Sequence, residues 1–384
     1  MASVPQHQTE KPEQQAANIW ISQPQGRSNC YSDAGGRFAI IAAGGADAHE
    51  YLELDAYSAA KAFVDGKYAI RGDVFAAIRF FLTQPHDKFR EWLFTSAARL
   101  ERLRIALYEG WRRKAARNIG FHYDRSNEFY RQFLDSRMIY SAAHFGDPSI
   151  SLEDAQREKL NRICQDLRLR RSDRFLDVGC GWGGLVVHAA EGFGVNAFGC
   201  TLAREQLDAA RERVHTSGLA SRVSVELRDY RDLKGRFDKI ASVGMFEHVG
   251  RKRLRGYFET VHKLLEKGGL FLNRGVVRPQ GTSDGPDTFF IQRHVFPGGE
   301  LVHLHDVVRE GERAGLEVVG IEDLRMDYAM TCRAWVKNLE RNVEACKSLA
   351  GERTYRTWLL YLAASAVGFE EDRISCAQVL FAKR

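Results

Sequence analysis

Residues 174–184 read RFLDVGCGWGG. An apolar run, an aspartate (Asp177) and glycines at 179, 181, 183 and 184 describe a buried strand ending in a tight turn. In such a turn the backbone passes close to a ligand. Gly179-x-Gly181-x-x-Gly184 also satisfies the dinucleotide fingerprint, so the turn by itself leaves NAD and other nucleotide cofactors open. The flanking sequence has to separate them.

Working outward, GLVVHAAEGF (184–193) reads as the helix after that strand, and VNAFGCT (195–201) as a second strand. EQLDAARERVHTSG reads as a helix closing on Gly218. RVSVELRD (222–229), FDKIASVGM (237–245) and GGLFLNRGVV (268–277) read as the third, fourth and fifth strands. Strands alternating with helices predict an α/β, Rossmann-like parallel sheet. Two aromatic-rich insertions, 278–314 and 325–372, carry Phe289, Phe290, Phe296, Tyr328, Trp335, Trp358 and Tyr361. Insertions of that kind build substrate lids on nucleotide-binding sheets.

Ahead of this part the chain divides further. Residues 1–18 are polar and Gln-rich and read as a disordered tail. A small α+β domain is expected over 19–85. In it IWISQPQ and FAIIAAGG read as strands, and LDAYSAAKAFVDGKYAIRGDVFAAIRFFL as two helices around a glycine turn. A basic amphipathic connector follows over 86–117, and the remaining domain covers 118–384.

The cofactor question turns on carboxylates. An NAD enzyme places an acidic residue at the end of the second strand to hold the ribose diol. Here that strand ends Gly199-Cys200-Thr201-Leu202. Asp177 would crowd a pyrophosphate with negative charge and favours a ligand bearing an ammonium. S-adenosylmethionine has that ammonium, a sulfonium and no phosphate. Asp229, closing the third strand, is placed to accept from an adenine amino group; its other reading is an N-cap before Tyr230.

LDVGCGWGG, VNAFGCTLAREQLDAAR, FDKIASVGMFEHVG and DYAMTCRAW, with the ending TWLLYLAASAVGF…AQVLFAKR, resemble the cyclopropane-fatty-acid synthase family. These are S-adenosylmethionine enzymes acting on olefins in phospholipid acyl chains or mycolic acids. The resemblance covers roughly 118–384, and more faintly the small N-terminal unit. It implies cofactor contacts at Tyr140, Ser141, Gly179, Gly181, Thr201, Leu202, Gln206, Asp229, Tyr230 and Val243, beside Asp177.

The chemistry the resemblance implies is attack of an olefin π bond on a methyl sulfonium. The resulting cation needs a dry, aromatic surrounding, for which Phe246, Tyr328 and Trp335 are candidates. In the family a bound bicarbonate accepts the proton, held by a Cys, a Glu, a His, a Tyr and a main-chain group. Here the Glu is Glu247 and the Tyr is Tyr328, but the Cys position is Ala142 and the His position is Asn273. Either Asn273, with His144 or Arg274, still helps hold an anion and a ring closes, or a protein base takes the proton. Glu247, Tyr328 and His144 are the candidates for that base. The preferred expectation is C-methylation of the olefin without ring closure. An NAD(P) oxidoreductase and an inactive lipid-binding paralogue are the rival classes.

Composition narrows the partners. The chain has 384 residues, 44% hydrophobic and 28% charged, as in ordinary globular proteins. Its seven cysteines are scattered without a C-x-x-C pair, which argues against a disulfide framework or a zinc site. The first twenty residues lack the basic head and apolar core of a signal peptide, and no uncharged run is long enough to span a bilayer. The net charge of +6 is concentrated in 88–117, 167–174 and 251–255. The first of these interleaves Arg and Lys with Phe89, Trp92, Leu93, Phe94 and Trp111, as a helix on anionic lipid does; a linker with a solvated basic face is its plainer reading. Without a recognition motif beside the charge, no nucleic-acid partner is expected. The expected setting is cytoplasmic, peripheral on the inner membrane face, with unsaturated phospholipid acyl chains as partners and a homodimer left open.

Overall fold

The computed structural model describes residues 30–33, 35–83, 126–282, 286–296 and 299–384, without the side chains of 286–289. The tail, the IWISQPQ strand and the basic connector lie outside the described residues.

A seven-stranded sheet carries the larger part, in the order β6-β5-β4-β7-β8-β10-β9. Its strands are β4 (Arg174–Val178), β5 (Asn196–Thr201), β6 (Val223–Leu227), β7 (Phe237–Val243), β8 (Leu265–Val277), β9 (Glu317–Asp323) and β10 (Ser375–Ala382). The run from β6 to β8 is parallel, and β10 is inserted antiparallel between β8 and β9. The strand order reverses beside β4, where chains leave β4 and β7 in opposite directions of the sheet. The carboxyl ends of those two strands therefore border an open crevice, the usual ligand position in such sheets.

The predicted parallel strands are all present. Their helices follow from simple patterns: α5 (Leu152–Asp166) starts at Ser151, whose hydroxyl accepts from the Asp154 amide at 3.1 Å. Such a cap is worth about 1 kcal/mol. α6 (Gly184–Phe193) and α7 (Arg204–Thr216) match the expected helices, and Gly218 takes φ +68° just past α7. The antiparallel pair β9 and β10 carries no βαβ signal, because neither strand is followed by a crossover to a parallel neighbour.

The small unit departs from expectation. Between α2 (Ala56–Val64) and α3 (Val74–Thr83) the chain forms a strand, β3 (Tyr68–Gly72), rather than a turn alone. It completes a three-stranded sheet with β1 (Cys30–Ser32) and β2 (Phe38–Ala42), pairing Ile40 with Ile70. Tertiary pairing overrides the helical reading there: Tyr68 is buried and its hydroxyl donates to the Ala59 carbonyl at 3.0 Å. α1 (His49–Leu52) and α4 (Asn127–Arg131) are short.

The insertions form α9 (Pro286–His294), α10 (Leu304–Arg313), α11 (Arg325–Arg341), α12 (Val343–Ala350) and α13 (Glu352–Glu370), while α8 (Leu254–Leu264) belongs to the sheet layer. Phe38, Phe63, Ile78 and Phe81 of the small unit share one hydrophobic cluster with Trp335, Trp358, Leu362 and Phe369 of α11 and α13. The small sheet is thus packed onto the insertion helices. Two further clusters fill the space around the large sheet.

Candidate active site

Loops leaving β4, β5, β6 and β7 surround a cavity of about 150 Å³. Tyr140, Ser141, Asp177, Gly179, Gly181, Thr201, Leu202, Gln206, Asp229, Tyr230 and Val243 all line it. Gly179 and Gly181 take φ of +81° and +54°, and a Cβ on Gly181 would meet no atom within 4 Å, so the turn presents bare backbone to open space. Thr201 Oγ1 donates to Gln206 Oε1 at 2.8 Å and accepts from the Ala203 amide, which fixes the pair beneath the cavity wall. Asp229 takes the capping role that was its other reading and also borders the cavity. It lines the cavity, and its Oδ1 caps the turn Tyr230–Asp232 through the Arg231 amide while its carboxylate pairs with the Arg231 guanidinium.

Sequence reasoning missed Lys159. It is 2% exposed on the buried face of α5, lines the cavity and donates from Nζ to Ser141 Oγ at 2.8 Å. Burial pulls its ammonium well below the usual lysine range, and burial pushes the Asp177 carboxyl up, against the pull of Lys159. The signal was available: Ala155, Leu160, Ile163 and Cys164 form an apolar stripe that a lysine interrupts. A carboxylate and an ammonium in one cavity suit both charges of an amino-acid terminus. The donor set therefore fits the methionine end of S-adenosylmethionine.

A second cavity, of about 230 Å³, adjoins the first. Tyr140, Gly244 and His248 line both. Its walls are apolar and aromatic, including Ile70, Ile78, Phe81, Phe290, Phe296, Tyr361 and Phe369. Glu247 and Tyr328 lie in this second cavity. Glu247 Oε1 accepts from the Val276 amide at 2.7 Å, whereas Oε2 is buried without a partner. Burial lifts its carboxyl to about 7. Room for it depends on Gly275, where a Cβ would sit 2.7 Å from Glu247 Oε1. Tyr328 stacks on Phe369 at 4.6 Å, and burial raises its phenol well above the ordinary value, so it stays protonated. His248, also unanticipated, has its imidazole held neutral by burial, which lowers it to about 4.

The remaining candidates lie elsewhere. His144 lines neither cavity; its Nε2 accepts from Arg162 at 2.6 Å and its Nδ1 faces Asp327 at 3.6 Å, in a polar cluster of its own. Asn273 is buried within β8, with Oδ1 accepting from the Tyr257 hydroxyl at 2.7 Å. Arg274 points to the other face, where Nε and Nη2 both donate to Gln378. Ala142 is buried and borders neither cavity. Trp335 stands behind Tyr140 and Tyr328, at 5.0 and 6.1 Å between ring centres, and Phe246 is sealed beneath Gly275.

Residues 111–379 match the family model described as mycolic acid cyclopropane synthetase. The chain belongs to that family. Among its members, a probable fatty acid methyltransferase of Pseudomonas putida is 43% identical over 330 residues, 84% of this chain and 81% of its own. The cyclopropane-fatty-acyl-phospholipid synthase of Escherichia coli K12 is 36% identical over 303 residues, 78% and 74% of the two chains. The crystal structure of mycolic acid cyclopropane synthase CmaA1 complexed with SAH and CTAB superposes with a TM-score of 0.66 at 30% identity, covering 70% of this chain and 98% of that one. As a member of the mycolic acid cyclopropane synthetase family, the protein is an S-adenosylmethionine-dependent methyltransferase with a Rossmann-like core. Among the described residues no helix is long and apolar enough to cross a membrane.

Proposed function

We propose that the protein methylates a carbon of a double bond in an unsaturated fatty acyl chain, presented in a phospholipid, and releases a methylated olefin. The observation that carries this reading is the junction of a polar cavity with an apolar one at Tyr140, Gly244 and His248. Bound S-adenosylmethionine supplies an electrophilic methyl group on a sulfonium. Asp177 and Lys159 would hold its zwitterionic end, the glycine turn would admit it, and Thr201 with Gln206 would hold the ribose. The acyl cavity excludes water and surrounds the alkene with Tyr140, Tyr328 and Phe296, whose ring faces stabilise a developing cation.

Glu247 then accepts the proton at Oε2, the carboxylate oxygen with no other partner. A carboxyl tuned near neutrality suits general-base work. Ala142 and Asn273 offer no polar atom to either cavity, so an anion cage of the family's kind lacks two of its ligands here. A base fixed on Glu247 takes the proton from a neighbouring chain carbon, which restores an alkene; loss from the added methyl would close a ring. Mass spectrometry of lipids from a host expressing the protein tests this reading. A gain of CH2 whose product takes up hydrogen over a catalyst is expected. A product resistant to hydrogenation returns the enzyme to cyclopropane synthesis, and no gain of CH2 overturns the reading.

The basic, aromatic connector over 86–117 supports docking of the chain on the cytoplasmic face of an anionic membrane. Binding to phosphatidylglycerol vesicles should weaken as salt screens the contact, since the Debye length is about 8 Å at physiological ionic strength. Binding indifferent to both salt and head-group charge reduces the connector to a linker.

A further inference from the structure

The family match begins at residue 111, and the CmaA1 structure covers 98% of its own chain with only 70% of this one. The small N-terminal unit lies outside the family match, yet it lines the second cavity. Ala56, Ala59 and Ala60 of α2, Ile70 of β3, and Ile78 and Phe81 of α3 all line it, and none of the unit's described residues lines the cofactor cavity. Among the described residues, the unit therefore meets the acyl cavity and not the cofactor cavity.

Its position is fixed by arginines. Arg356 of α13 donates to the Phe63 and Tyr68 carbonyls at 3.0 and 2.8 Å, satisfying the end of α2 and the start of β3. Arg353 pairs with Asp65, and Arg79 and Arg333 converge on Glu370. The Arg333 guanidinium also lies 4.1 Å from the centre of the Phe75 ring. Bonds to backbone carbonyls hold main chain rather than one side chain, so α2 and β3 form a wall fixed against α13. The small side chains of Ala56, Ala59 and Ala60 leave space that larger ones would fill.

We infer that this unit is a length gauge for the acyl chain, with the Ala60 face of α2 and Ile70 of β3 limiting how much hydrocarbon fits beyond the double bond. The inference rests on the acyl reading above and deepens it. Each methylene displaced from an apolar site loses its burial, and two of them are worth roughly tenfold in affinity.

The test uses cis-9-tetradecenoic and cis-9-octadecenoic acids as binding probes, competing with a fluorescent fatty acid on the full chain, with S-adenosylhomocysteine affinity measured alongside. Ala60→Phe should weaken the longer acid at least tenfold relative to the shorter and leave S-adenosylhomocysteine binding intact. Ile70→Ala should shift the ratio the other way, and it decides the matter if Ala60→Phe fails to fold. Equal changes for both acids, or no change, with the cofactor site intact, overturn the gauge while leaving the acyl reading standing. If the unaltered protein binds neither acid, free or esterified in phosphatidylglycerol, the acyl reading falls and the gauge with it.

Discussion

The two cavities are built in opposite ways. The cofactor cavity takes most of its lining from turns after four strands that follow one another between residues 174 and 245. The acyl cavity gathers residues from α2, β3 and α3, from Tyr140, from the turn after β7, from the segment after β8, and from α11 and α13. One is local in sequence, and the other is assembled only when the small unit closes on the insertion helices. Polar function can therefore be read from a motif in the first, whereas in the second, single side chains acquire roles from distant neighbours. Substitutions in the acyl cavity should change chemistry and selectivity, while those in the glycine turn should change affinity.

The largest effect is expected at Glu247. Glu247→Gln keeps an acceptor for the Val276 amide but removes the base, so turnover should fall 10²–10⁴-fold, typical of a general base. S-adenosylhomocysteine affinity should hold, because Glu247 does not line the cofactor cavity. Turnover of the unaltered enzyme should be indifferent to added bicarbonate. Rescue of carbonate-depleted enzyme by bicarbonate, or a Gln variant near full activity, would remove Glu247 from that role.

The same residue should couple activity to stability in opposite senses. Its folded-state carboxyl is raised to about 7 from an ordinary 4.5. A raised carboxyl binds its proton more tightly when folded, so its effect on stability is absent below about pH 4.5. The cost grows as pH rises and is complete above about pH 7, reaching about 3 kcal/mol at most. Glu247→Gln should therefore raise the melting temperature at pH 8 and leave it nearly unchanged at pH 4.5. Turnover should fall as pH drops through about 7, where the base becomes protonated. Equal melting shifts at both pH values would contradict a charged, buried Glu247.

Gly181→Val probes the other cavity. A branched side chain at φ +54° both strains the turn and enters the space above it. S-adenosylhomocysteine affinity should fall at least tenfold, about 1.4 kcal/mol, by calorimetry. Unchanged affinity in a folded variant would move the cofactor site.

These contrasts also explain what was legible in the sequence. The parallel strands, the glycine turn and Asp177 could be read because periodicity and turn chemistry are local. Lys159 escaped because its place in the cavity comes from facing Ser141 and Asp177, distant in sequence, although its position in an apolar stripe marked it. β3 escaped because its pairing with β2 outweighs the helical character of its neighbours. His144 lies outside both cavities for a related reason: Arg162 and Asp327, from two distant helices, draw its ring into their own cluster. Asn273 lies outside both cavities because it is buried within β8, with its carbonyl oxygen taken by Tyr257.

The smallest effect is expected at Tyr328, and it sharpens the division of labour inside the acyl cavity. Its phenol is held well above the ordinary value by burial, so a phenolate is absent at working pH and the hydroxyl cannot serve as the base. What the ring supplies is a face, stacked on Phe369 and edge-on to Trp335. Tyr328→Phe retains that face and its contribution to stabilising a cation, about 0.5–2 kcal/mol for such contacts. Turnover should then change by less than about threefold, while Tyr328→Ala should lose the ring contribution and fall by roughly tenfold or more. A hundredfold loss in the Phe variant would mean that the hydroxyl itself holds a reacting group or an anion. That result would reinstate a cage built on Tyr328 and Glu247 together, and with it ring closure.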